Sequence, residues 1–90
     1  MSATKQKTLT LSSPIKRGDE NITSITLRKP DAGSLRGVAL SDVVRMDVDA
    51  LAEVVPRLSQ ITEQEFRQLE PYDLMMVGKE LTTFFVMPPN

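Results

Sequence analysis

A chain of 90 residues with a formal net charge of −1 allows one domain, near the size at which a lone hydrophobic core becomes marginal. Cysteine and histidine are both absent, which removes disulfides, thiolate chemistry, the commonest general base and the commonest metal ligand together. Apolar residues make up 40% of the chain and charged residues 26%, but aromatics only 4%, so the core must come mainly from Leu, Ile, Val and Met. A core with so few large anchors predicts a stability of roughly 3–5 kcal/mol. No stretch approaches the roughly 20 apolar residues of a membrane span. No apolar run follows the charged Met1–Lys7 segment, so a cytoplasmic protein without a secretory signal is expected.

Residues 1–7 read as a flexible tail, and residues 8–90 as a single domain with a hairpin over 8–29 and a helical part over 41–86. Leu9, Leu11 and Ile15 share one parity, while Pro14 predicts an edge strand or a strand end. The polar stretch Lys16–Asn21 supplies turn chemistry, with Gly18 free to take positive φ. Ile22–Lys29 is β-rich and puts Ile25 and Leu27 on one face, completing a β-hairpin with one buried side. Arg17-Gly18-Asp19 matches the integrin-binding tripeptide, but a turn accounts for it. After Pro30, Asp31–Gly37 reads as a loop or a single helical turn. Its glycines have neither the GxGxxG nor the GxxxxGK[ST] spacing of a phosphate cradle.

From Ser41 the period changes. Val44, Val48, Leu51, Val55 and Leu58 are spaced four, three, four and three, a helical seam. Ser41 and Asp47 both suit an N-cap, so one helix or two short ones remain open. Pro56 should kink or end this segment. Thr62-Glu63-Gln64-Glu65 has the form of a capping box opening a short helix with Phe66 and Leu69. Pro71 suits the first position of a further helix. That helix carries Leu74, Val77, Leu81 and Phe84 on one stripe, and Gly78 is expected to weaken it by roughly 1 kcal/mol. The fold class is therefore α+β: an N-terminal antiparallel hairpin followed by three to four short α-helices.

Little here can carry chemistry. The paired carboxylates Asp47/Asp49 and Glu63/Glu65 are spaced by two, which points them apart on a helix. No base stands in a recognisable pattern near any serine or threonine, so no enzyme, cofactor or metal is expected. Residues 1–36 hold seven Lys/Arg against three Asp/Glu, and residues 37–90 hold four against nine. A solvated basic hairpin beside acidic helices explains this, and a head-to-tail contact between copies in a homo-oligomer is the alternative. Lys5, Lys7, Lys16, Arg17, Arg28 and Lys29 cluster on the hairpin, which also admits a small DNA-binding or regulatory module. A sequence pI near 5.3 and the lack of interleaved aromatics argue against specific nucleic-acid binding.

The order of blocks along the chain carries a resemblance. It runs Leu11–Asp19, then Ile25–Gly33, Leu35–Val38, Met46–Asp49, Pro56–Leu58, and Asp73-Leu74 ahead of Gly78. Together these resemble the phage tail assembly chaperones of Mu-like and related contractile-tailed phages and prophages. The likeness covers about Leu9 to Phe85, and Leu27–Gly37 is its most specific stretch. The resemblance implies a non-structural protein of the host cytoplasm, absent from the mature virion. It would hold the tape measure protein soluble and help nucleate the tail tube. It also implies a longer, frameshifted form of the same chain as a further partner.

That role predicts an adaptable apolar surface, for which methionine is well suited. The expected binding residues are Met75, Met76, Phe84, Phe85 and Met87 in the last quarter of the chain. A second candidate is the basic group Arg28, Lys29 and Arg36. The terminal apolar run Phe84–Met87 either completes the core or stays exposed as part of that surface.

Overall fold

A computed structural model describes residues 6–86. Strands β1 (Gln6–Arg17) and β2 (Glu20–Arg28) form an antiparallel hairpin, and helices α1 (Leu40–Val44), α2 (Val48–Leu58), α3 (Glu63–Phe66) and α4 (Pro71–Val86) follow. The α+β layout is the one expected, although α4 is long, and a single 3-10 turn at Ala32–Leu35 fills the linking loop. The strand also starts earlier than expected: Gln6 and Lys7 pair with Arg28 and Leu27.

The hairpin turns through Gly18 at φ +60°, a conformation that glycine enters without steric cost. Pro14 does not end β1. The register breaks between Thr10 and Ile15, so that Leu11–Pro14 lie opposite Thr23 alone. Such a bulge is where a proline without an N–H does least harm to the ladder. Beyond it, Ile15 pairs with Ile22 and the strand resumes.

Alternation puts Leu11, Ile15, Ile25 and Leu27 on the inner face, where all are buried. Helix α2 packs against β2 and α4 against β1. The core then closes on Leu51, Val54, Val55, Leu58, Ile61, Phe66, Val77 and Leu81. It is aliphatic except for Phe66, as the composition required.

The seam from Val44 to Leu58 belongs to two helices. Met46 takes φ +62°, a left-handed conformation, and ends α1. Asp47 then caps α2, its carboxylate accepting from the Ala50 N–H at 3.0 Å. Ser41 is not a cap; Ala39 holds that position for α1. The expectation that Pro56 kinks or ends the helix is corrected by two residues, since α2 runs to Leu58 with Pro56 in its last turn. The Ser59 hydroxyl donates to the Val55 carbonyl at 2.8 Å and so satisfies one end of that turn.

Gly78 has a packing role beyond its helix propensity. A Cβ there would lie 3.1 Å from Met46 Cε and 3.3 Å from Leu51 Cδ1. The missing side chain is the space into which the α1–α2 link and α2 pack against α4.

Two carboxylates tie the helices to the hairpin. Asp73, buried in the first turn of α4, accepts from the Ser12 N–H at 2.8 Å, the Ser12 hydroxyl at 2.9 Å and the Ser13 N–H at 3.2 Å. It thus satisfies N–H groups in the bulge. Glu65 takes a bidentate pair from Arg17, Nε to Oε2 at 2.8 Å and a terminal nitrogen to Oε1 at 2.7 Å. The same Glu65 accepts from the Thr62 N–H at 2.9 Å, closing the expected capping box. The Arg17 bond and then the Thr62 N–H hold its carboxyl down at about 2.

Candidate partner-binding surface

The polar groups of the molecule are largely spent on its own backbone. Arg28 donates to the Arg57 carbonyl at 2.8 Å, near the end of α2 where helix carbonyls lack partners. Arg57 in turn donates to the Ser34 and Arg36 carbonyls at 3.0 and 2.8 Å, pinning the loop after β2. These bonds tie the loop around Ser34–Arg36 to the last turn of α2. The Gln60 amide donates to the Ser24 carbonyl at 3.0 Å and accepts from the Thr26 N–H at 3.2 Å, pairing with the outer edge of β2 as a strand would.

The basic hairpin is correspondingly weakened as a nucleic-acid surface. Arg17 is held by Glu65 and by the Gln60 carbonyl, and Arg28 by α2. An open depression of about 470 Å³ beside them is lined by Thr26, Arg28, Leu58, Ser59 and Gln60, without paired acids or bases. Among the described residues no cluster of three metal-ligating side chains occurs. No described helix is long and apolar enough to cross a membrane.

Five large apolar side chains are exposed among the described residues. Leu40 is 53% accessible, Val44 51%, Val48 44%, Tyr72 64% and Met75 56%. Leu40 and Val44 are four apart on α1 and share a face. Their neighbour Val43 is buried and anchors α1 to the core. Tyr72 and Met75 are three apart on α4 and stack the same way. Helical geometry places Met75 next to the Gly78 flank, where Met46 and Leu51 pack, so the apolar face of α4 borders the α1–α2 link.

Of the residues expected from the sequence, Met75 is exposed and Met76 is half-buried. Phe84 and Phe85 are half-buried and pack against the core. Met87 lies outside the described residues. The structure brings Arg28 and the Arg36 backbone to one corner through Arg57, while Lys29 is half-buried beside them. Sequence reasoning missed Leu40, Val44 and Val48, because the seam assigned the two valines to the core. The available signal was the capping capacity of Asp47, which separates Val44 from the rest of the seam and puts Val48 at the very start of a helix.

The described residues form a bulged hairpin with helices on one face and an exposed aliphatic surface. The chain belongs to the family of phage tail assembly chaperone proteins (E, or 41 or 14), whose family model matches residues 8–86. It is 43% identical to tail assembly protein E of Escherichia phage P2 over 88 residues, covering 96% of this chain and 94% of that protein. It is 44% identical to tail assembly protein E′ of the same phage over 84 residues, covering 91% of this chain but only 59% of E′. No solved structure matches the chain.

Proposed function

We propose that this tail assembly chaperone acts by binding alone, holding the tape measure protein of its phage soluble until tail tube subunits assemble around it. The observation that carries this reading is the cluster of exposed aliphatic side chains on α1, the start of α2 and the outer face of α4. A long helical partner displays apolar stripes that aggregate in water, and each Å² of apolar surface covered is worth about 25 cal/mol. Leu40, Val44, Val48 and Met75 offer several such contacts without a deep specific pocket, as a holdase needs. Met76, Phe84 and Phe85 extend the surface along α4. A longer product sharing these residues, in the way E′ overlaps the matched region, would present the same surface with an added segment. The protein acts during assembly in the host cytoplasm and leaves before the virion is complete.

Co-expression with the tape measure protein tests the reading. A Leu40→Gln, Val44→Thr, Met75→Gln variant is expected to lose co-purification while keeping its circular dichroism spectrum. A parallel Arg28→Gln, Lys29→Gln, Arg36→Gln variant is expected to keep it. Loss only in the second variant would move the site to the basic corner, and retention in both would refute the surface.

A further inference from the structure

The two edges of the hairpin are finished differently. On β2, the Gln60 amide pairs with Ser24 and Thr26, so these residues aim their backbone groups away from β1. Their partners across the ladder, Thr10 and Thr8, therefore aim theirs the opposite way, out of the free side of β1. Gln6 follows by the same alternation. Lower down that edge, Asp73 satisfies Ser12 and Ser13. Along Gln6–Thr10 no backbone partner outside the hairpin is found among the described residues. An open strand edge of this kind templates another strand unless charge, proline or a cover blocks it. Here the one charge in the run, Lys7, shares the parity of the inner face and does not stand in the row of outward groups.

We infer that this edge is a self-pairing surface: β1 of one copy joins β1 of a second copy antiparallel, centred on Thr8. The cross-strand chemistry favours a second copy as occupant. In that register Gln6 faces Thr10 of the other copy and Thr8 faces its own equivalent, each pair exchanging two N–H···O bonds. Lys7 falls opposite Leu9, so no like charges meet, and its aliphatic stem covers a leucine that the single hairpin leaves half-exposed. The Thr8 hydroxyl already lies 3.1 Å from that of Thr26, so the pairing continues a threonine row across a four-stranded sheet. Two strands alone are a marginal sheet, and four are not. Since Gln60 closes the β2 edge, each copy offers one open edge, and the contact ends at a two-fold dimer instead of a fibre. This pairing is independent of whatever covers the apolar helices.

Sedimentation across a concentration series tests it, with Thr8 as the lever because its side chain is exposed and its N–H points outward. The unaltered chain is expected to dimerise. Thr8→Pro removes the outward N–H without touching the β1–β2 ladder and should yield a folded monomer. Thr8→Lys and Thr8→Glu each put like charges opposite one another and should weaken self-association about fivefold. An equimolar mixture of the two should restore it, and this outcome decides the matter if Thr8→Pro proves unfolded. A chain that stays monomeric throughout overturns the proposal. So does a dimer indifferent to all three substitutions, or an edge that pairs only when a tape measure chain is added.

Discussion

The apolar seam from Val44 to Leu58 has two halves with opposite fates. Leu51, Val55 and Leu58 are fully buried between the hairpin and the other helices, while Val44 and Val48 are about half exposed. Both halves have the same residue types at the same spacing. The left-handed Met46 ends α1 and so cuts Val44 off from the buried half, while Val48 is the first residue of α2 and sits at that helix's exposed end. Periodicity reports which residues share a face of a helix. Whether that face meets the core is a tertiary matter. Under the proposed function the exposed half has a use, and a chain with a thin aliphatic core leaves it uncovered at some risk of association.

The largest expected effect lies in the buried half. Leu51→Ala removes a side chain that also fills the space over Gly78, and should cost about 3 kcal/mol. For a domain expected to hold only roughly 3–5 kcal/mol, that leaves it close to unfolding at room temperature. Urea denaturation of the variant measures the cost. A loss below about 1 kcal/mol would show that the two halves differ less than their burial says.

Asp73→Ala comes next, because the buried half depends on α4 being held to the hairpin. The substitution leaves the Ser12 and Ser13 N–H groups without an acceptor, at an expected cost of about 2 kcal/mol. Asp73→Asn keeps one acceptor oxygen and should recover part of the loss in the same assay.

This contact also marks the limit of what the sequence made legible. The hairpin, the capping box at Thr62 and the start of α4 at Pro71 were readable because each rests on neighbours in the chain: alternation, an i to i+3 pair, a fixed φ. Asp73 and Ser12 are 61 residues apart, and Arg17 and Glu65 are 48 apart, with no local pattern to join them. The tripeptide Arg17-Gly18-Asp19 was readable as a turn, but its arginine's partner was not. The left-handed Met46 had no glycine or asparagine to announce it. On the surface, Met75 was identified from composition and position. Leu40, Val44 and Val48 were not, since exposure of an apolar residue is decided by the elements that fail to cover it.

A smaller effect should appear in acid. Glu65 titrates at about 2 when folded against an ordinary 4.5, so the folded state favours its charged form. The stabilisation is complete above the ordinary value and drains away as pH falls from about 4.5 towards 2. Asp31, lowered by the Ser34 N–H, contributes in the same direction. Melting temperatures followed from pH 6 downward should fall through that window, and Glu65→Gln should flatten the slope. Since the pair joins α3 to the hairpin and not to α1, the exposed half of the seam should not respond.

The smallest effect on stability is expected where the proposed function is most at stake. Val44→Thr and Val48→Thr keep the branched shape at Cβ and the helix preference of the original residues. They replace one methyl by a hydroxyl that water satisfies, because both sites are about half exposed. Each change should therefore alter stability by no more than about 0.5 kcal/mol, and the double variant should melt with the unaltered chain. The same two changes interrupt the apolar run from Leu40 to Val48, so retention of the tape measure protein and binding of a hydrophobic dye should both fall. A melt lowered as far as that of Leu51→Ala would place Val44 and Val48 in the core after all, and the contrast between the halves would be lost. A normal melt with undiminished binding would keep the contrast but move the partner to the far end of α4, around Phe84 and Phe85.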